Sequence, residues 1–325
     1  MKIGLIIAFI ASVLNLSNAD MSIEEDYDHH SAQFHLQGFY QGDIKLEHHD
    51  NNSTSAFERR LNSDQLRKWD HNLQGDYFKV MVYIDTNDYT ANQAYLIEEA
   101  FKKFKYTAKV IKWQFVPNKP GSSNSQPYIH IKKAGGCWSY YGRTTNAHQG
   151  QTLSLDNACL AQRTIHHVLL HAMGFGHEVN RADRDSYLQI NWDNIDSNCV
   201  QEFSKMKDIN PLGMPFDYKS SMLYNPRTCA KSGSTMVSKT NKAIDTSKNE
   251  ASWFDYVQIR LMYQCVRNGK SFNRQYSDYQ QQKCSSDCKC WKNAGGCQGR
   301  DDWCKGNLIC DVNWCKNEWE RGIWN

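Results

Sequence analysis

Three histidines carry the most specific chemistry in this chain. From Thr164 to Glu178 the sequence runs TIHHVLLHAMGFGHE, with His167, His171, Gly174 and His177 at spacings of four, three and three. His167 and His171 stand one helical turn apart, so their imidazoles leave the same face. Gly174 can take the positive φ that ends a helix and turns the chain back. His177 then arrives as a third nitrogen donor. Three imidazoles with a fourth position open describe a catalytic zinc centre rather than a closed structural one.

The residue after the first histidine is out of pattern. Zinc peptidases written H-E-x-x-H-x-x-G-x-x-H place a glutamate there as general base; here the position is Val168. The metal acidifies its bound water and polarises the scissile carbonyl. The base takes the water's proton and returns it to the leaving amine, a contribution of roughly 10²–10⁴-fold. Valine has no lone pair for that step. His166 lies about 200° round the helix from position 168 and is expected to face away from the metal. The missing carboxylate is not a metal ligand, so zinc binding is expected to survive.

The surrounding pattern supplies a scaffold. Lys79 to Ile84 reads as a buried strand, Val110 to Val116 and Tyr128 to Ile131 as two more, and Thr152 to Leu155 as a short fourth. Thr90 to Phe104 carries Ala94, Leu96, Ile97, Ala100, Phe101 and Phe104 on or near one helical face, and Ser252 to Tyr263 reads as a final helix. Gly135-Gly136-Cys137 marks a turn. Strands with one long helix, followed by the histidine helix, imply an α+β domain.

The termini read differently. Lys2, the apolar run Ile3 to Leu16 and the small residues Ser17-Asn18-Ala19 form a signal peptide over residues 1–19, implying a secreted, extracellular product. Residues 20–60 are polar and histidine-bearing (His29, His30, His35, His48, His49), with too few apolar residues to fold alone, and read as a pro-segment ending at the dibasic Arg59-Arg60. Asn51 and Asn52 each begin a glycosylation sequon. Residues 266–283 read as a linker. Residues 284–325 form a cysteine-rich tail, with seven cysteines between Cys284 and Cys315, which only disulfides could stabilise. Its tryptophans (Trp291, Trp303, Trp314, Trp319, Trp324) either form an exposed binding surface for extracellular protein or glycan or cover the disulfides. A net charge of +3 without a long basic run gives nucleic-acid binding no support, and no segment is apolar enough to span a membrane.

With these residues assembled, the chain resembles the astacin family of zinc metalloendopeptidases, a branch of the metzincins, from about Tyr40 to Cys265. HxxxHxxGxxHE is followed by NRADRDSYLQINWDNI, similar to the family's arginine- and aspartate-rich segment. FDYKSSMLY resembles its Met-turn, GGCWSYYGR and LSLDNAC its cysteine surroundings, and YQGDI its aspartate switch, with Tyr40 in place of the usual Phe. The resemblance implies one Zn²⁺ per chain held by His167, His171 and His177. Tyr224 would be a displaceable further ligand that helps stabilise the oxyanion. Asp43 would hold the zinc in a zymogen, Met222 would pack beneath it, and Glu178 would meet the new N-terminus near Leu61 after processing. It also implies a protease domain over residues 61–265 and a Cys137–Cys159 bridge. A second family bridge would join Cys265 to a cysteine, but that position here is Lys112. Cys199 and Cys229 are extra and are candidates to pair with each other. Five cysteines in the domain and seven in the tail are both odd numbers, which makes Cys265 the candidate for a domain-to-tail bridge.

Two functions follow from this. One is a secreted metalloendopeptidase acting on protein or peptide substrates, made as a zymogen and strongly impaired at Val168. The alternative is a zinc-binding pseudoprotease that occupies a ligand without cutting it.

Overall fold

The computed structural model describes residues 39–46 and 68–267, apart from 76, 105–109, 122, 124–125, 207–214 and 241. The signal-peptide, processing-site, glycosylation, linker and tail expectations lie outside the described residues.

Among the described residues a mixed seven-stranded sheet forms one layer. Its strands are β1 (Ile44–Lys45), β2 (Leu73–Gln74), β3 (Tyr77–Ile84), β4 (Ile111–Phe115), β5 (Tyr128–Lys132), β6 (Cys137–Tyr140) and β7 (Gln151–Leu155). The order is β1-β6-β7-β5-β3-β2, with β4 also paired to β3. β3, β4, β5 and β7 run parallel, and β6 runs antiparallel to β7. β5 is buried from Tyr128 to Ile131, while β3 alternates half-buried and buried positions up to Met81 before its buried end at Val82–Ile84.

Helix α1 (Ala91–Lys103) starts at Thr90, whose hydroxyl accepts from Gln93 N while the Gln93 side chain reaches back to Thr90. It buries Ile97, Ala100 and Phe101, and Phe104 closes its end. Leu96 does not join that face: it is 50% exposed, because it sits one residue, about 100°, round from Ile97. Helix α2 (Gln162–Ala172) packs against α1 and β6. His166 anchors the first contact: its Nε2–H donates to Ala100 O at 2.9 Å, and its Nδ1 accepts from Ala251 N at 3.0 Å. Helix α3 (Trp253–Arg267) reaches two residues past the expected domain end.

The sheet, α1, α2 and α3 enclose one core cluster that includes Val80, Ile129, Leu153, Leu169 and Ile259. A second cluster around Phe203, Phe216 and Leu223 sits below the histidines, beside the small β8–β9 ribbon (Leu188–Ile190 and Met236–Ser238). Cys137–Cys159 ties the start of β6 to the segment before α2, and Cys199–Cys229 ties the lower region together. At the position where the family's second bridge would begin, Lys112 Nζ instead lies 3.9 Å from the centroid of the Tyr77 ring. No helix among the described residues is long and apolar enough to cross a membrane.

Candidate metal centre

Helix α2 presents His167 and His171 from a fully buried face. It ends at Gly174, whose φ of 97° is open to glycine and strained for other residues. The turn is closed by Gly174 N donating to His171 O at 2.9 Å and Phe175 N to Leu170 O at 3.0 Å. Trp69, fully buried, donates its indole N–H to Ala172 O at 2.9 Å, satisfying another helix-end carbonyl. The chain then returns so that His177 faces His167 and His171.

Each imidazole is oriented by its far nitrogen. His167 Nδ1–H donates to Ser221 O at 2.7 Å and His171 Nδ1–H to Phe175 O at 2.8 Å. His177 Nδ1–H meets Gln41 Oε1 and the Tyr224 hydroxyl oxygen, both at 3.2 Å. These bonds place the protons on Nδ1 and leave the Nε2 lone pairs pointing inward. His167 Nε2 is 3.0 Å from His171 Nε2 and 3.3 Å from His177 Nε2. Burial holds His171 below the ordinary imidazole range and His177 at about 3, so both rings stay neutral, the form that binds metal.

The fourth group comes from the short segment 39–46. Gln41 (φ 51°) and Gly42 (φ 84°) turn the chain between Tyr40 and Ile44, which bond to each other at 2.7 and 3.0 Å. That turn drives Asp43 into the cluster, with Oδ2 at 2.6 Å from His167 Nε2 and Oδ1 at 3.2 Å from Nε2 of both His171 and His177. Burial opposes the charge of Asp43, but the three histidines outweigh it and hold the carboxyl well below its usual range. Its Oδ1 is buried and accepts no hydrogen bond.

This donor set fits zinc. The candidate ligand atoms of Asp43, His167, His171 and His177 lie within 4.8 Å of one another, and all four residues are buried. Lone pairs that face each other in a dry site repel unless a cation sits among them. Three imidazole nitrogens and one carboxylate suit a four-coordinate Zn²⁺.

A buried turn supports the cluster from below. Met222, 3% exposed, accepts at its carbonyl from Glu178 N at 2.8 Å. Asp255 of α3 accepts from Ser220 Oγ at 2.6 Å, Ser221 N at 2.9 Å and Ser221 Oγ at 3.0 Å, so α3 holds the residue that orients His167. Glu178 Oε1 accepts from Arg181 Nη1 and from Asp217 N, each at 2.8 Å. The partner expected for Glu178 after processing, near Leu61, lies outside the described residues. Tyr224 stands on the Nδ1 side of His177, away from the metal-facing nitrogens. Its hydroxyl donates to Gln41 O at 3.1 Å, so the turn that carries Asp43 also holds Tyr224 there. Val168 is fully buried in the main core cluster.

Two residues of the site have no counterpart in the sequence reasoning. Gln41 fastens the Tyr40–Ile44 turn to His177 and, through Nε2, to Ser204 O at 3.3 Å; its place beside Gly42-Asp43 was the available signal. Glu202 lies 3.4 Å from the Tyr224 hydroxyl, and burial, with Asp43 nearby, pushes its carboxyl up to about 8. It sits in the short 3₁₀ helix Ser197–Phe203, with no motif to mark it.

Residues 63–264 match the Astacin peptidase family. Zinc metalloproteinase nas-7 of Caenorhabditis elegans is 34% identical over 186 residues, covering 56% of this chain and 46% of the relative. Zinc metalloproteinase nas-14 of the same organism is 36% identical over 188 residues, covering 56% and 36%. Meprin A subunit beta of Rattus norvegicus is 32% identical over 234 residues, covering 70% and 29%. The chain therefore spans less than half the length of these relatives. Among solved structures, high choriolytic enzyme 1, a hatching enzyme zinc-protease of Oryzias latipes, superposes with a TM-score of 0.52 at 25% identity, over 66% of this chain and 98% of that one. The matched region holds the whole three-histidine cluster and the methionine turn beneath it, and on that ground the chain belongs to the astacin family of zinc-dependent metallopeptidases.

Proposed function

We propose that this chain is a secreted zinc metalloendopeptidase made in latent form, in which Val168 strongly limits peptide hydrolysis. The observation that carries the reading is the Asp43 carboxylate lodged against the Nε2 atoms of all three histidines. Zinc held there supplies Lewis-acid polarisation of a peptide carbonyl and an acidified water. The protein's own residues prepare the rest. Ser221 O, Phe175 O and Gln41 Oε1 fix the imidazole orientations. Asp43 occupies the position that a substrate would need.

Release of the pro-segment removes Asp43, Gln41 Oε1 and Gln41 O together, because all three lie on one short turn. Tyr224 then loses its Gln41 acceptor, and its hydroxyl can exchange its contacts with His177 and Glu202 for a developing oxyanion, a role for pre-placed hydroxyl donors. The position expected to supply the general base offers only the buried methyls of Val168. Proton transfer to the leaving amine therefore falls to solvent or to a weaker donor. Metal binding and substrate docking are left intact by that substitution, while turnover is slowed.

The test is to express the full chain in a secreting host, sequence the N-terminus of the product, measure zinc by metal analysis, and assay peptide cleavage before and after cleavage at Arg59-Arg60. Secretion with one zinc per chain, no activity before processing and weak chelator-sensitive activity after it are the expected results. A zinc-free product, or equal activity before and after processing, would overturn the proposal.

A further inference from the structure

The pro-segment strand does more than deliver Asp43. β1 runs parallel to the edge of β6, with Ile44 opposite Ser139 and Lys45 opposite Tyr140. Ser139 N donates to Asp43 O at 3.2 Å. Lys45 Nζ stands 4.8 Å from the ring centroid of Trp138, 5.9 Å from Tyr140 and 6.0 Å from Phe39. Ammonium groups within about 6 Å of aromatic faces are attracted by the ring quadrupoles. Phe39 belongs to the pro-segment; the other two rings belong to β6 and stay with it. The Trp138 indole N–H donates to Gly135 O at 2.8 Å, and the Trp138 and Tyr140 rings meet edge to face at 5.9 Å. The turn before β6 therefore helps to set the notch, and Phe39 of the bound segment packs on the Trp138 ring at 5.1 Å.

We propose that Trp138 and Tyr140 form a subsite for a cationic side chain, so that an extended peptide added to the β6 edge is selected for Lys or Arg at the position facing Tyr140. This rests on the peptidase reading above. Strand addition gives affinity through the backbone and specificity through side-chain pockets. The Lys45 position is two residues along the strand from Asp43, which reaches the metal cluster. A peptide with one unit at the metal would place a nearby side chain in the notch. Arginine suits it as well as lysine, since guanidinium groups stack on aromatic rings.

The test uses a full chain carrying Gln41→Ala, Asp43→Ala and Lys45→Glu, which removes three of the segment's anchoring side chains, and cleaved at Arg59-Arg60 so that the segment no longer competes from within the chain. Fluorescein-labelled peptides of the sequence Gly38 to Leu46 are titrated against it by fluorescence polarisation, with Lys45 kept or changed by Lys45→Arg, Lys45→Met or Lys45→Glu. The Lys and Arg peptides are expected to bind about 3- to 10-fold more tightly than the Met peptide, and the Glu peptide more weakly still. Tyr140→Leu in the receptor should erase that preference, and Tyr140→Phe, which keeps the ring, should retain it. Equal affinities for the Lys and Met peptides, or no binding of any peptide, would overturn the proposal. The peptidase reading is scored separately, by chelator-sensitive cleavage with Val168→Glu in the same processed chain: charge preference without any cleavage by that variant removes the peptidase reading and keeps the subsite, and cleavage without charge preference does the reverse.

Discussion

Asp43 Oδ2 lies 2.6 Å from His167 Nε2, across 124 residues of sequence. A carboxylate brought that far to meet an imidazole already oriented by Ser221 O would complete the set of groups that could hold a zinc ion. Asp43→Ala in the full chain should open that set while leaving three histidines. Zinc should remain bound but transfer faster to a colourimetric chelator, by about tenfold or more, a size typical of losing one ligand-shell group. An unchanged transfer rate would separate Asp43 from the metal.

Asp255 acts on the same imidazole at one remove, through the Ser220–Ser221 turn. Asp255→Ala leaves buried hydroxyl and amide donors without their acceptor. Zinc affinity measured by chelator competition should fall about 10- to 100-fold, the usual cost of losing an outer-shell partner. Affinity within twofold of wild type would show that Ser221 O is held without α3.

Gly174 has φ of 97° at the point where α2 must end for His177 to return. Gly174→Ala strains that conformation and should cost about 1 kcal/mol or more. Urea denaturation of the zinc-loaded chain checks the stability, and zinc content checks the return of His177. No loss of either would mean that the turn tolerates a side chain.

His166 is a pH-sensitive part of the core. Burial lowers its pKa from 6.5 to about 4. A depressed pKa means that the unfolded chain binds the proton more readily. The stability it contributes is therefore present above pH 6.5 and is lost as pH falls toward 4. The full difference corresponds to about 3 kcal/mol at most. Urea midpoints measured from pH 7 to pH 4 should fall more steeply for wild type than for His166→Gln. Parallel slopes would place the acid sensitivity elsewhere.

The metal site is more legible in the sequence than the fold around it. Histidine spacing fixes which imidazoles share a helix face, and Gly174 marks where the helix must stop, because both depend on local geometry alone. The strand Cys137–Tyr140 is hidden behind the glycines of its own turn and becomes visible only through its ladder to β7. Leu96 reads as part of the buried face yet stands exposed, because apolar residues outnumber the positions that one face can cover. Tyr224 sits on the far side of His177 because Gln41, 183 residues away, accepts its hydroxyl. A contact of that range leaves no periodic mark in sequence. Glu202 is buried by tertiary packing within a short 3₁₀ helix, which pattern reading does not reach.

The central claim is an intact zinc centre whose turnover is limited by one buried valine. Val168→Glu restores the missing general base without touching a ligand. The measurement is chelator-sensitive cleavage of one unstructured peptide by the processed wild type and the processed variant, with zinc content determined for both. Equal zinc and a gain of roughly 10²–10⁴-fold in kcat for Val168→Glu is the predicted result. Equal cleavage rates at equal zinc content would contradict the account.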